Sequence, residues 1–61
     1  MIKIREMRKM RGMTVKELAS AVGIKEVSVY RYERGMRIPT VDIALKFADA
    51  LGCSISDLLE H

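Results

Sequence analysis

The segment from Lys25 to Arg34 holds the densest set of side chains able to do chemistry. Wound as a helix, at about 100° per residue, it gathers Glu26, Tyr30, Arg34, Val27 and Arg31 on one arc of about 140°. Val29 and Tyr32 fall on the opposite arc, with Glu33 at its edge. The first arc is the mixture that reading base edges in a DNA major groove requires. Arginine can donate two hydrogen bonds to guanine, glutamate can accept one from cytosine N4, and a valine methyl can pack on the thymine methyl. A solvated amphipathic helix also carries Arg and Glu, but it has less use for Val27 and Tyr30 side by side on its outer face.

Other chemistries are poorly supplied. No Ser/His/Asp or Cys/His set is present, and neither is a glycine-rich phosphate loop or a pair of carboxylates placed for burial together. No catalytic residue is expected, and the chain reads as a non-enzyme. A chain of 61 residues has little room for a concave pocket, so neither a cofactor nor a small-molecule ligand is expected. One cysteine (Cys53) and one histidine (His61) cannot complete a four-ligand metal site or an internal disulfide.

The elements that must position the reader can be read from caps and periodicity. Thr14-Val15-Lys16-Glu17 has the form of a capping box. Val15, Leu18, Ala19 and Val22 follow it at helical spacing. Gly23 then supplies the left-handed conformation of a sharp bend, and Ala19 leaves room for the next helix to cross closely. Leu18, Val22, Ile24, Val29 and Tyr32 make an apolar pocket between the two segments. Together these describe a helix-turn-helix. A first helix is predicted from about Ile2 to Arg11, with Ile4, Met7 and Met10 or Arg11 on its stripe. A fourth helix follows Pro39 with Thr40 as N-cap and Val41, Ala44, Leu45, Ala48 and Leu51 facing inward. A short fifth is capped by Ser54 and carries Ile55, Leu58 and Leu59. Met7, Met10 and Met13 are expected to fill the core, and Met36 to lie in a loop. The predicted fold is all-α, a compact five-helix bundle, forming one domain over residues 1–61.

Charge is unevenly spread. Residues 1–37 hold ten of the eleven Lys and Arg against four acids, whereas residues 38–61 hold Lys46 against four. A basic half suggests a polyanion partner on one side, although small domains also carry surplus lysines for solubility. No apolar run exceeds three residues, so no membrane span is expected. The single cysteine suits a reducing, cytoplasmic setting.

Several strings in order resemble the Cro/repressor-type helix-turn-helix family, which includes lambda-like phage repressors. They are Ile4-Arg5-Glu6-Met7-Arg8, Met13-Thr14-Val15-Lys16-Glu17-Leu18-Ala19 and Arg31-Tyr32-Glu33-Arg34-Gly35. Pro39, Ala48-Asp49-Ala50-Leu51-Gly52 and Ser56-Asp57-Leu58-Leu59 complete the set, with no insertion from about Ile2 to Leu59. The resemblance implies a third helix that enters the major groove. Glu26, Val27 and Arg31 would then face base edges, with Tyr30 reaching bases or flanking phosphates. Lys25, Ser28, Arg34 and Arg37 would meet phosphate, as would Arg8 and the backbone N–H groups near Thr14 and Val15. Arg8 and Glu33 would first of all form an ion pair linking helices one and three. Two positions depart from the family. Val15 stands where relatives often have a phosphate-bonding glutamine, and Lys25 stands where they tend to have a capping Ser or Thr.

These readings converge on a sequence-specific binder of double-stranded DNA. The expected form is a small bacterial or phage repressor acting by promoter occlusion. A homodimer on a palindromic operator is expected, with half-sites about one helical turn (~34 Å) apart. Its self-association would come from helix five and the loop near Met36. The alternative is a protein-interaction module, such as an antitoxin subunit that binds a partner protein.

Overall fold

The computed structural model describes residues 3–59. Within them the chain forms α1 (Ile4–Met10), α2 (Val15–Val22), α3 (Glu26–Glu33), α4 (Val41–Leu51) and α5 (Ile55–Leu58). The expected start of the first helix at Ile2 and the terminal His61 lie outside the described residues.

Local chemistry sets most of the boundaries. The Thr14 hydroxyl accepts the Glu17 N–H at 3.1 Å while the Glu17 carboxylate accepts the Thr14 N–H at 2.9 Å. Ser54 and Asp57 repeat the same reciprocal pair at the start of α5, at 3.2 and 3.1 Å. Such boxes satisfy N–H groups that the first turn would leave without partners. Thr40 accepts the Ile43 N–H at 3.3 Å and starts α4 with a single capping bond. At the far end of α2, Gly23 takes φ +82°, and the N–H groups of Gly23 and Ile24 both turn back to the Ala19 carbonyl. The chain thereby reverses into α3 within three residues.

Every helix sends at least one fully buried side chain to a shared centre: Ile4, Leu18, Val29, Phe47, Leu51 and Leu58. Each such burial is worth about 1.5–3 kcal/mol. The Tyr32 and Phe47 rings meet edge to face, with centroids 5.6 Å apart, and fix the inner side of α3 against α4. The Lys3 N–H donates to the Leu58 carbonyl at 2.6 Å, tying the start of α1 to α5. Arg11 closes another seam: its Nε and Nη2 donate to the carbonyls of Leu51 and Gly52 at 2.7 and 3.2 Å. A cation at the C-terminus of α4 satisfies carbonyls the helix leaves open and complements its dipole.

Three inward assignments need correction. Val41 and Leu45 point outward, and the inner edge of α4 is made by Phe47, Ala48 and Leu51, with Ile43 half-buried. The apolar arc of α4 is wider than the surface it covers, so hydrophobicity alone does not say which edge is buried. Met10 is also exposed, because its neighbour Arg11 takes the path back to α4. Leu59 is exposed as well, just beyond α5, which buries Leu58 instead. Met7 and Met13 pack against the core. None of the helices among the described residues is long and apolar enough to cross a membrane.

Candidate nucleic-acid interface

The position of α3 is set by one ion pair and one ring contact. Arg8 Nε donates to Glu33 Oε2 at 2.8 Å, and Nη2 approaches Oε1 at 3.5 Å. Arg8 Nη1 donates to the Met13 carbonyl at 2.9 Å. A planar guanidinium matched to a carboxylate in this way fixes orientation as well as separation. The pair is largely covered, so α1, the start of α2 and the end of α3 are bound to one another at a single point. All three guanidinium nitrogens of Arg8 have partners inside the fold, which makes its structural role primary.

With its inner face held, α3 turns the other arc outward. Glu26, Val27, Tyr30, Arg31 and Arg34 are all exposed, Val27 at 49% and Tyr30 at 46% of their free surface. The Arg34 guanidinium lies over the Tyr30 ring at 6.0 Å, and Arg37, in the loop beyond α3, lies over Tyr32 at 5.9 Å. These contacts give two long cationic side chains a preferred direction before any ligand arrives. Lys25 is exposed at the N-cap of α3 and makes no side-chain cap, while Ser28 is half-buried.

A groove separates α3 from the start of α2. Arg5, Arg8, Thr14, Val15 and Lys16 line one side, and Glu26, Tyr30, Glu33 and Arg34 line the other. Val27, Arg31, Lys25, Ser28 and Arg37 are outside it. The positive end of α2 opens here. Its Thr14 N–H, assigned to phosphate on resemblance, is already committed to the Glu17 carboxylate. The Glu17 N–H is likewise committed to Thr14. That leaves the N–H groups of Val15 and Lys16 as the free donors of the first turn. The Val15 side chain is buried in the core, so only its backbone can contribute. The Thr14 amide first, and the Thr14 hydroxyl second, hold the Glu17 carboxyl below its ordinary value. Sequence reasoning did not single out Arg5 or Lys16. Arg5 stands one turn before Arg8 on the same face, and Lys16 is in the first turn after the capping Thr14; both signals were available.

The helix-turn-helix family model matches residues 4–58, which is nearly the whole described chain. The chain belongs to the helix-turn-helix family. An uncharacterized helix-turn-helix-type transcriptional regulator from Archaeoglobus fulgidus is 38% identical over 56 residues, covering 92% of this chain and 80% of that protein. Two other archaeal relatives, helix-turn-helix-type transcriptional regulatory proteins of Methanocaldococcus jannaschii and Aeropyrum pernix, are 38% and 36% identical, and the chain spans only 15% and 18% of their length. Among solved structures, the restriction-modification controller protein C.AhdI from Aeromonas hydrophila superposes with a TM-score of 0.89 at 32% identity, covering 93% of this chain and 86% of that one. The N-terminal DNA-binding domain of SinR from Bacillus subtilis gives 0.84 at 27% identity, covering 95% and 86%. These relatives are regulators and controllers rather than enzymes. The bacterial or phage setting expected from sequence is not singled out, since the curated relatives are archaeal and these structural neighbours bacterial. In this helix-turn-helix domain, α2 and α3 are the helices joined at the Gly23 bend, and α3 turns its outer face to solvent.

Proposed function

We propose that this domain binds double-stranded DNA sequence-specifically, with α3 lying in the major groove, as a transcriptional regulator in the cytoplasm. The observation that carries the reading is the outer face of α3. It presents a valine and a tyrosine among Arg31, Arg34 and Glu26, and the fold itself needs none of them there. Arg31, Glu26 and Val27 are the base readers, and Tyr30, with Arg34 stacked on it, stands between base and phosphate. The free amides of Val15 and Lys16 receive one phosphate at the positive end of α2. Arg5, Lys16, Lys25 and Arg37 neutralise others along the two flanks, which accounts for the basic first 37 residues, and Ser28 donates a hydrogen bond to one. Arg8 serves the ion pair rather than a phosphate. Repression by occlusion of a promoter is the simplest action open to such a domain, and a homodimer reading a palindrome supplies the length of site that one helix lacks.

Titration of duplex DNA by fluorescence anisotropy over a range of salt tests this assignment. Arg31→Ala should cost about 1–3 kcal/mol on the preferred site and relax the preference at one base pair. Arg37→Ala should instead weaken all sequences alike and flatten the salt dependence by about one ion. Uniform weakening by Arg31→Ala would remove it from the base-reading set.

A further inference from the structure

The five side chains that face outward from α3 fall into two sets. Glu26, Tyr30 and Arg34 line the groove shared with the start of α2, and Arg34 is stacked on Tyr30. Val27 and Arg31 are exposed but lie outside that groove. They stand one turn apart, at i and i+4, a spacing that puts their Cβ atoms about 5–6 Å from each other. Arg34 and Arg37 each lie over a tyrosine ring, and Arg8 is held by Glu33. No ion pair, side-chain hydrogen bond or ring engages Arg31 among the described residues. Its guanidinium keeps all its donors for a ligand. Val27 is the one aliphatic side chain exposed on α3.

The major groove offers this pair few partners. Guanine O6 and N7 match a bidentate arginine, and the C5-methyl of a pyrimidine is the apolar group on the base edges there. Thymine always carries that methyl, and cytosine carries it only when methylated. Successive bases are about 3.4 Å apart along a strand, so side chains rooted about 5–6 Å apart reach neighbouring base pairs.

We propose that Val27 and Arg31 act as one unit that reads a C5-methylated pyrimidine beside a guanine. Arg31 donates two hydrogen bonds to the guanine, and Val27 packs on the methyl of the adjacent pair, against the aliphatic stem of Arg31. Valine makes no polar contact, so it accepts thymine and 5-methylcytosine alike and leaves the exocyclic group at C4 to water. Glu26, the residue able to accept from cytosine N4, lies about 100° away on the groove side of the helix. At this one position, binding therefore responds to cytosine methylation.

This inference rests on the DNA-binding reading, and its test separates the two. In the site that the chain selects from random duplex DNA, each thymine is replaced in turn by uracil, which deletes only the methyl. Fluorescence anisotropy should find a position where the replacement raises Kd about fourfold, beside the guanine whose preference Arg31→Ala relaxes. Val27→Ala should bind thymine and uracil there equally, with no loss in the thermal melt, because the side chain is already half exposed. At the same position, 5-methylcytosine should bind about fourfold more tightly than cytosine, and Val27→Ala should abolish that difference. Uracil tolerated at every thymine, or a methyl effect that survives Val27→Ala, would overturn the inference and leave sequence-specific binding intact. Binding of 5-methylcytosine no tighter than cytosine would overturn the shared reading of the two bases. A chain that selects no sequence would remove the DNA-binding reading and this inference with it.

Discussion

Removing Glu33 tests the geometry on which the placement of α3 depends. In Glu33→Ala the Arg8 guanidinium loses its bonds at 2.8 and 3.5 Å and keeps only the Met13 carbonyl at 2.9 Å. Orphaning one partner of a fully buried pair costs about 3–5 kcal/mol, and a single hydrogen bond to a charged group contributes about 1.5–3. The Arg8 side chain retains a small opening to solvent and can recover some hydration. The expected cost is therefore about 2–3 kcal/mol, near the lower end for buried pairs. For a domain of this length that lowers the melting temperature by about 10–20 °C, a large share of what one small core supplies. Circular dichroism melts of Glu33→Ala, Arg8→Met and the double variant Arg8→Met/Glu33→Leu measure it. The double variant should be more stable than Glu33→Ala, since it leaves no charge without a partner. A melting temperature unchanged by Glu33→Ala would refute the claim that this pair holds α3, and so would a double variant that is merely the sum of the two single losses.

Three further substitutions follow from the local geometry. Gly23→Ala introduces a Cβ with open space around it but at φ +82°, so only backbone strain acts, and denaturant titration should show a loss of about 1–2 kcal/mol. The capping carboxylates Glu17 and Asp57 are both held below their ordinary values of 4.5 and 3.8 by the Thr14 and Ser54 groups they accept from. A depressed folded-state value means that their stabilisation is complete above the unfolded-state values and is lost as pH falls through the folded ones. The melting temperature should therefore be level near neutrality and drop on the acid side of about pH 4.5. Glu17→Gln and Asp57→Asn should lower the neutral plateau and shallow the acid slope, and an unchanged acid slope in both would refute the linkage.

How much of this molecule could be read from its residues differed by kind of signal. Local chemistry was legible. The Thr14–Glu17 box, the Thr40 and Ser54 caps and the Gly23 bend depend on residues within four positions of one another, and each forms the expected bonds or dihedral. The inner face of α3 was legible too, since Val29 and Tyr32 are the only strongly apolar residues on one side of it. The width of the apolar arc on α4 was not resolvable. Val41 and Leu45 continue the stripe of Ala48 and Leu51 as well as Phe47 and Ile43 do, and what separates the two edges is which neighbour covers them. Long-range polar contacts were legible only through resemblance, as with Arg8 and Glu33, or not at all, as with Arg11 and the Leu51 and Gly52 carbonyls. In the groove, the commitment of the Thr14 N–H to Glu17 leaves Val15 and Lys16 as the donors proposed for phosphate, a consequence of the same box the sequence displays.

Selection of bound sites from random duplex DNA by the 61-residue chain tests the central claim most directly, because it presumes no operator. The account predicts an enriched palindrome whose half-sites are centred about one helical turn (~34 Å) apart, with the preference at one position relaxed in Arg31→Ala. Failure to enrich any sequence, under salt conditions where the chain is folded and binds polyanions, would contradict it.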